Sequence, residues 1–248
     1  MLKKIVKKLI RKFNYDIVRY NNNFFGLRQF KFDVIIDIGA HVGEFSTEML
    51  SLFPNSKIYA FEPNPEVYVK LELLKEAYGQ RITTENIGIG DISGNLDLIA
   101  TKHHTPSSSF LKLRPEGITQ ISEFTGVDIS PLQITNVIVS TIDDYFKDID
   151  LRGKIIFLKI DAQGYEIKIL EGAKEFIRIV SFVMLEINLA KTYEGEATAA
   201  ELISTMDRLN FSIFGFAYPP GIEEKSGRII GFDLIFKRND ISVVDSFE

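Results

Sequence analysis

Four acidic residues end short apolar runs: Asp37 in VIIDIGAHVGEFS, Glu62 in IYAFEPNP, Asp161 in IIFLKIDAQGYE and Glu186 in VMLEIN. A carboxylate buried there without a partner would be costly, so each is expected to meet a ligand, a counter-charge or a hydrogen-bond donor. The first run passes into a glycine-rich turn. Gly39 and Gly43 let the backbone reverse and approach a ligand closely, and the helix that follows offers free N–H groups to an anionic group. Their G-x-x-x-G spacing lacks the dinucleotide fingerprint G-x-G-x-x-G, so alone it is equally a tight strand-to-helix turn. Glu62 lies 25 residues past Asp37 and should emerge on the neighbouring strand at the same sheet edge. A carboxylate there can accept two hydrogen bonds from a ribose diol. Asn86, Gly88, Gly90 and Asp91 close a third run and either approach a planar base or make a plain turn.

Asp161 is the leading candidate for a catalytic residue, with Gln163 and Gly164 shaping the turn after it. Glu166 opens the next helix, where an acid also complements the helix dipole without any further role. Glu186 is expected to face Asp161 across a pocket as a base, as a contact to a substrate hydroxyl, or with Asp161 as a ligand of a hard cation. No further spacing demands a metal, and none is expected. His103 and His104 lie in the polar stretch TKHHTPSSS. Histidine is the natural proton acceptor near neutral pH, and a loop over the strand ends could bring either residue to the substrate, with His104 the candidate named; solvated loop histidines are the alternative.

Positioning these residues requires strands that end together. Short β-branched runs over 34–38, 57–61, 82–89, 154–160 and 182–187 alternate with helical patterns over 45–52, 65–78, 166–178 and 197–209. That alternation predicts βαβ units around a largely parallel sheet. Two late strands, 212–216 and 230–236, are joined by AYPPGIEEKSGR, whose Pro and Gly predict a loop or hairpin and an antiparallel last strand. Residues 91–153 break the rhythm and read as an insertion, with strands over 95–100 and 137–142. The expected domain therefore runs over 33–248 behind a lead-in of 1–32.

The chain of 248 residues is 45% hydrophobic and 25% charged, material enough for one substantial α/β core. It has no cysteine, which excludes disulfides, thiolate metal sites and cysteine nucleophiles and fits a reducing cytoplasm. No run approaches the roughly 20 apolar residues of a membrane span. In MLKKIVKKLIRKF, Leu2, Ile5, Val6, Leu9, Ile10 and Phe13 share a helical face among six Lys and Arg; removing those six from the total charge of −5 leaves −11 for the rest. Such a basic helix either docks on the domain or lies peripherally on an anionic membrane through residues 2–13. The acidic body speaks against nucleic-acid binding.

Glycine loop, acidic second-strand end and polar third-strand end, in that order, match the cofactor site of class I methyltransferases. More narrowly, the chain resembles the FkbM-type methyltransferase family. The carrying segments are VIIDIGAHVGEFS, IYAFEPNP, ENIGIGDISG, VSTIDDYF, IIFLKIDAQGYEIKILEGA and VMLEIN, with LKIDAQGYE followed by LEGA the most specific. The resemblance implies a Rossmann-like doubly wound sheet, S-adenosyl-L-methionine as methyl donor, and transfer to an oxygen, such as a sugar hydroxyl of a glycan or a polyketide hydroxyl. Around the cofactor it places Asp37, Gly39, His41, Gly43, Glu62, Asn86, Gly88 and Asp161. His41 stands where family members commonly carry Asn or another small polar residue, and no catalytic role is assigned to it. The competing reading is a non-catalytic nucleoside-binding or scaffold protein on the same fold; retention of all four acids argues for the enzyme. A nicotinamide dehydrogenase has the wrong glycine spacing, and the N-P-P-Y motif of base amino-methylation is absent.

Overall fold

Runs of apolar residues broken only by single charges must be covered on both faces, and β1 (Val34–Ile38), β2 (Lys57–Phe61, buried after Lys57) and β7 (Ile156–Ile160) are of this kind. The computed structural model describes residues 24–101, 105–130, 132–217, 221–222, 227 and 229–240. The other strands of the main sheet are β3 (Ile82–Glu85), β8 (Phe182–Asn188), β9 (Phe211–Phe216), β10 (Gly221–Ile222) and β11 (Ile229–Arg238). Their order is β3-β2-β1-β7-β8-β11, with β9 and β10 both pairing β11. β3, β2, β1, β7 and β8 are parallel, and β11 runs antiparallel to β8. The fold is thus a Rossmann-like α/β sheet with the late antiparallel strand expected from the Pro- and Gly-containing connection.

Alternation along the strands splits the core in two. Ile35, Ile58, Phe157, Phe182, Met184 and Ile235 pack with Phe45, Met49 and Leu50 of α1 (Glu44–Leu52) on one face. Ile36, Leu158, Val183 and Leu185 pack on the other, against Ile169 and Leu170 of α6 (Glu166–Glu171) and Leu202 and Met206 of α7 (Ala199–Arg208). Thr198 and Glu201 form a reciprocal capping box that sets the start of α7.

Several expected boundaries are corrected. The single helix over 65–78 is α2 (Pro65–Glu72) followed by α3 (Leu74–Tyr78). The strand over 82–89 ends at Glu85, and β4 (Gly88–Ile89) leaves to pair with β6 (Leu132–Ser140). With β5 (Gly94–Thr101), these make a second, three-stranded sheet in order β4-β6-β5. The insertion also carries α4 (Pro115–Thr125). The strand expected over 137–142 stops at Ser140, because Thr141 caps α5 (Ile142–Phe146) by accepting from the Asp144 N–H. The helix over 166–178 stops at Glu171: Gly172 lies so close to Gly90 that a Cβ would fall 2.0 Å from its carbonyl oxygen. Within the lead-in, Leu27, Phe30 and Phe32 are buried and pack in the same cluster as α1. The basic segment 2–13 lies outside the described residues.

Candidate active site

The strand register arranges the site. Phe61, Ile38, Ile160, Leu185 and Leu234 are partners across five adjacent strands. One step further toward the carboxyl ends comes the row Glu62, Gly39, Asp161, Glu186 and Asp233, with Glu186 and Asp233 themselves partners. Neighbouring strands lie about 4.8 Å apart, so the row sets four carboxylates across one sheet edge. It spans the point between β1 and β7 where strand order reverses, the usual ligand crevice of such sheets.

Asp37 lies one turn of the pleat below this row and is fully buried. It accepts from Lys159 Nζ at 3.0 Å and from Ser46 Oγ at 2.7 Å. Lys159, its register partner on β7, also reaches Asp161 Oδ2 at 3.3 Å and the Gly39 carbonyl at 3.2 Å. Burial pulls the Lys159 ammonium down, but the Asp37 and Asp161 carboxylates more than reverse this and hold it above its ordinary value. Asp37 therefore meets a counter-charge and stiffens the floor beneath the glycine turn.

Gly39 has φ +75, and a Cβ there would fall 1.8 Å from the Asp161 carbonyl oxygen. The glycine lets β1 and β7 end in contact. His41 also adopts a left-handed conformation, φ 50, which aims its backbone N–H at Glu62 Oε2, 2.9 Å away. Glu62 Oε1 accepts from the Asn64 N–H at 2.8 Å. Burial raises Glu62 to about 7 despite these two backbone donors. Gly43 caps α1 at φ 87 and makes room for Leu71 and Leu74. Asn86 donates to the Glu62 and Pro63 carbonyls. Both residues shape the loops around Glu62.

The turn after β7 ties the remaining acids together. Gln163, left-handed at φ 53, donates through Nε2 to Asp161 Oδ1 at 3.0 Å and Glu186 Oε2 at 2.9 Å. Its Oε1 accepts from the Tyr193 hydroxyl at 3.0 Å. Glu166, buried, accepts from the N–H groups of Ala162 and Gly164 at 3.0 and 3.1 Å, and burial raises it to about 7. It holds the Asp161–Gly164 turn in place. Burial, then the nearby Asp161, Glu166 and Asp233 carboxylates, push Glu186 well above the usual carboxylate range. Burial and Asp161 raise Asp233 to about 6. Among the described residues, no group of acids and histidines is arranged to hold a metal ion.

Two recesses open onto this row. The first, about 450 Å³, is lined at one end by Ile87, Ile89, Leu98 and Phe110 and at the other by Asp161, Gln163 and Asp233, with Gly39, His41 and Glu62 between. The second, about 320 Å³, contains Glu186, Asn188, Tyr193 and Phe232. Pro106, Gln163 and Asp233 line both. Of the sequence candidates, Gly39, His41, Glu62, Gly88 and Asp161 line the first recess and Glu186 the second. Asp37, Gly43, Asn86 and Glu166 stand behind its walls. His104 lies outside the described residues, although its neighbour Thr105 meets His41 Nε2 at 2.8 Å. Lys159, Asp233 and the Gln163 bridge were not foreseen. The available signal was a charged residue inside an apolar strand, in IIFLKI and IIGFDLIF.

The family model for the methyltransferase FkbM domain matches residues 37–213. The chain belongs to the FkbM methyltransferase family. Methyltransferase sdnD of Sordaria araneosa is 26% identical over 84% of this chain and 82% of its own. The 2-O-methyltransferase NoeI of Sinorhizobium fredii is 24% identical over 77% of this chain and 76% of its own. The hexuronic acid methyltransferase AglP of Haloferax volcanii is 22% identical over 63% and 56%. Among solved structures, TrmK of M. capricolum with S-adenosylhomocysteine aligns over 90% of this chain and 70% of its own, at 11% identity and a TM-score of 0.44.

This FkbM methyltransferase uses S-adenosylmethionine as its methyl donor, and the first recess fits that molecule. Its volume lies in the usual range for cofactor sites. Its apolar end offers contact surface to a purine. The buried Glu62 carboxylate, already held by two N–H groups, keeps lone pairs for a ribose diol.

Proposed function

We propose that this methyltransferase transfers the methyl group to a hydroxyl oxygen of a sugar or similar polyhydroxylated small molecule seated in the second recess. The observation that carries this reading is the shared wall of Gln163 and Asp233 between the two recesses, with Glu186 just inside the second. Bound in the first, S-adenosylmethionine supplies an electrophilic methyl group for in-line displacement. The chain's own residues hold nucleophile and methyl in line. A hydroxyl needs a base at neutral pH, and a carboxyl group whose ionisation is shifted toward neutrality serves best. Glu186, which burial and its acidic neighbours hold well above the usual carboxylate range, is the candidate and is oriented by the Gln163 amide. Asn188 and Thr192 offer hydrogen-bonding groups, while Tyr193 and Phe232 offer apolar faces to a ring. The names of NoeI and AglP, a 2-O-methyltransferase and a hexuronic acid methyltransferase, support an oxygen acceptor on a sugar.

His104 is proposed to reach the same acceptor from the loop beside Thr105. The decisive experiment measures methyl transfer to a panel of mono- and oligosaccharides by wild type, Glu186→Gln and His104→Ala. Glu186→Gln is expected to lose about 10²–10⁴-fold in turnover while binding S-adenosylhomocysteine normally. Full turnover by that variant removes the base assignment, and a panel without any methylated hydroxyl removes the acceptor class. Among the described residues no helix is long and apolar enough to cross a membrane. Residues 2–13 are proposed to give peripheral contact with an anionic membrane. Equal liposome flotation of full-length protein and a variant lacking residues 2–13 would exclude it.

A further inference from the structure

The first recess is chemically polarised along its length. Ile87, Ile89, Leu98 and Phe110 form the end nearest β3 and β4, Glu62 stands in the middle, and Asp161 and Asp233 form the far end. A nucleoside whose ribose meets Glu62 and whose purine meets the apolar end directs its 5′ substituent toward Gly39, Asp161 and Asp233. The charge there is strongly one-sided. Among the described lining residues Lys159 is the only lysine or arginine, and its ammonium is engaged by Asp37, Asp161 and the Gly39 carbonyl. Among the described residues no lysine or arginine forms a direct ion pair with Asp233 or its register partner Glu186; Lys159 acts on them only as a more distant charge, and Glu186 receives the neutral Gln163 amide. In a partly desolvated recess, excess negative charge stabilises a cation more than a neutral group of the same shape.

We infer that Asp233, which lines the cofactor recess beside Asp161, and its register partner Glu186 just across the shared wall form a charge filter at the sulfur end of that recess that binds the cationic methylsulfonium donor in preference to its neutral thioether product. The donor bears a positive sulfur, whereas the product left after transfer does not, since the charge departs as the proton of the acceptor hydroxyl. The filter therefore holds the charged nucleoside and releases the spent one. This inference rests on the cofactor site alone and holds whichever acceptor occupies the second recess.

The test is calorimetric titration of the full chain with two probes that share the adenosine and amino-acid parts: S-adenosylhomocysteine, neutral at sulfur, and sinefungin, which carries a protonated amine on the carbon replacing sulfur. In Glu186→Gln and Asp233→Asn the preference for sinefungin over S-adenosylhomocysteine is expected to fall about tenfold, the effect of one carboxylate at short range. The affinity for S-adenosylhomocysteine itself should change far less. An unchanged preference in both variants, with normal thermal unfolding, overturns the filter.

A second comparison needs only the wild type. Between pH 5 and pH 8 Asp233, raised to about 6, loses its proton, as do Glu62 and Glu166 nearby at about 7, while Lys159 and Tyr193 keep theirs; burial and its acidic neighbours hold Glu186 well above the usual carboxylate range. Glu44, Glu48, Asp161 and His41 are the other ionisable groups lining the recess, and all four remain unaltered in the variants. The sinefungin preference should therefore rise across this range. A flat preference overturns the proposal even if a variant fails to fold. Failure of the wild type to bind either probe is a different result, against the cofactor site itself.

Discussion

Replacing Glu62 with glutamine is the most searching perturbation of the cofactor site, because its effects on binding and on stability have different signs. The carboxylate is 6% exposed and accepts one backbone N–H on each oxygen, from His41 at 2.9 Å and Asn64 at 2.8 Å. One further acceptor position on each oxygen is left for a ribose diol. Hydrogen bonds to a charged group contribute about 1.5–3 kcal/mol each, so losing two weakens S-adenosylhomocysteine binding by roughly 10²–10⁴-fold. Burial sets the unliganded carboxyl at about 7. The ionised form is the better acceptor, so wild-type affinity should be level above pH 7 and fall by up to about tenfold per unit below it. Stability runs the other way. A carboxyl raised above its unfolded value contributes stability that is present at low pH and lost as pH rises toward about 7; the shift amounts to about 3 kcal/mol. Glu62→Gln should therefore unfold no more easily than wild type at pH 8 while failing to bind. Calorimetry from pH 5.5 to 8.5, with urea unfolding at both ends, measures both. Wild-type affinity independent of pH, or a variant that binds within threefold of wild type, refutes the reasoning.

Lys159→Met leaves Asp37 buried without its counter-charge and is expected to cost about 3–5 kcal/mol; urea unfolding checks this, and a loss below about 1 kcal/mol would contradict the ion pair. In a double-mutant cycle, Asp37→Asn should recover part of that loss. Gly39→Ala drives a methyl group into the Asp161 carbonyl, so cofactor binding should disappear together with several degrees of melting temperature; an alanine variant of normal affinity would refute the close approach of β1 and β7. Glu166→Gln retains one acceptor but loses the charge that holds the Ala162 and Gly164 N–H groups. Faster amide exchange at those two residues is expected, and unchanged protection would show that the turn holds itself.

Much of this architecture was legible because it follows from local pattern. Runs of β-branched residues marked the main strands, since a parallel strand covered on both faces is largely apolar. Gly39 and Gly43 announced a sharp turn, and φ values of +75 and +87 require such residues there. Where local reading failed, a distant contact had intervened. Gly172 ends α6 because Gly90 presses against it, and β4 leaves the line of β3 because β6 offers it a partner 51 residues further along at Gly88 and Val139.

The acids themselves were visible in the one-dimensional chain; their division of labour was not. Composition and periodicity determined an α/β fold and the strand ends that carry Asp37, Glu62, Asp161 and Glu186, while the resemblance carried by the motifs implied the methyltransferase and its donor. Tertiary structure decided that Asp37 is neutralised by Lys159, that Glu166 braces a turn, and that Gln163 couples Asp161 to Glu186. It also brought Asp233 beside Glu186 by pairing β11 with β8. These outcomes depend on strand order and register, which are settled by packing across the whole sheet, so residues far apart in the chain acquire their charge environment only when the sheet closes.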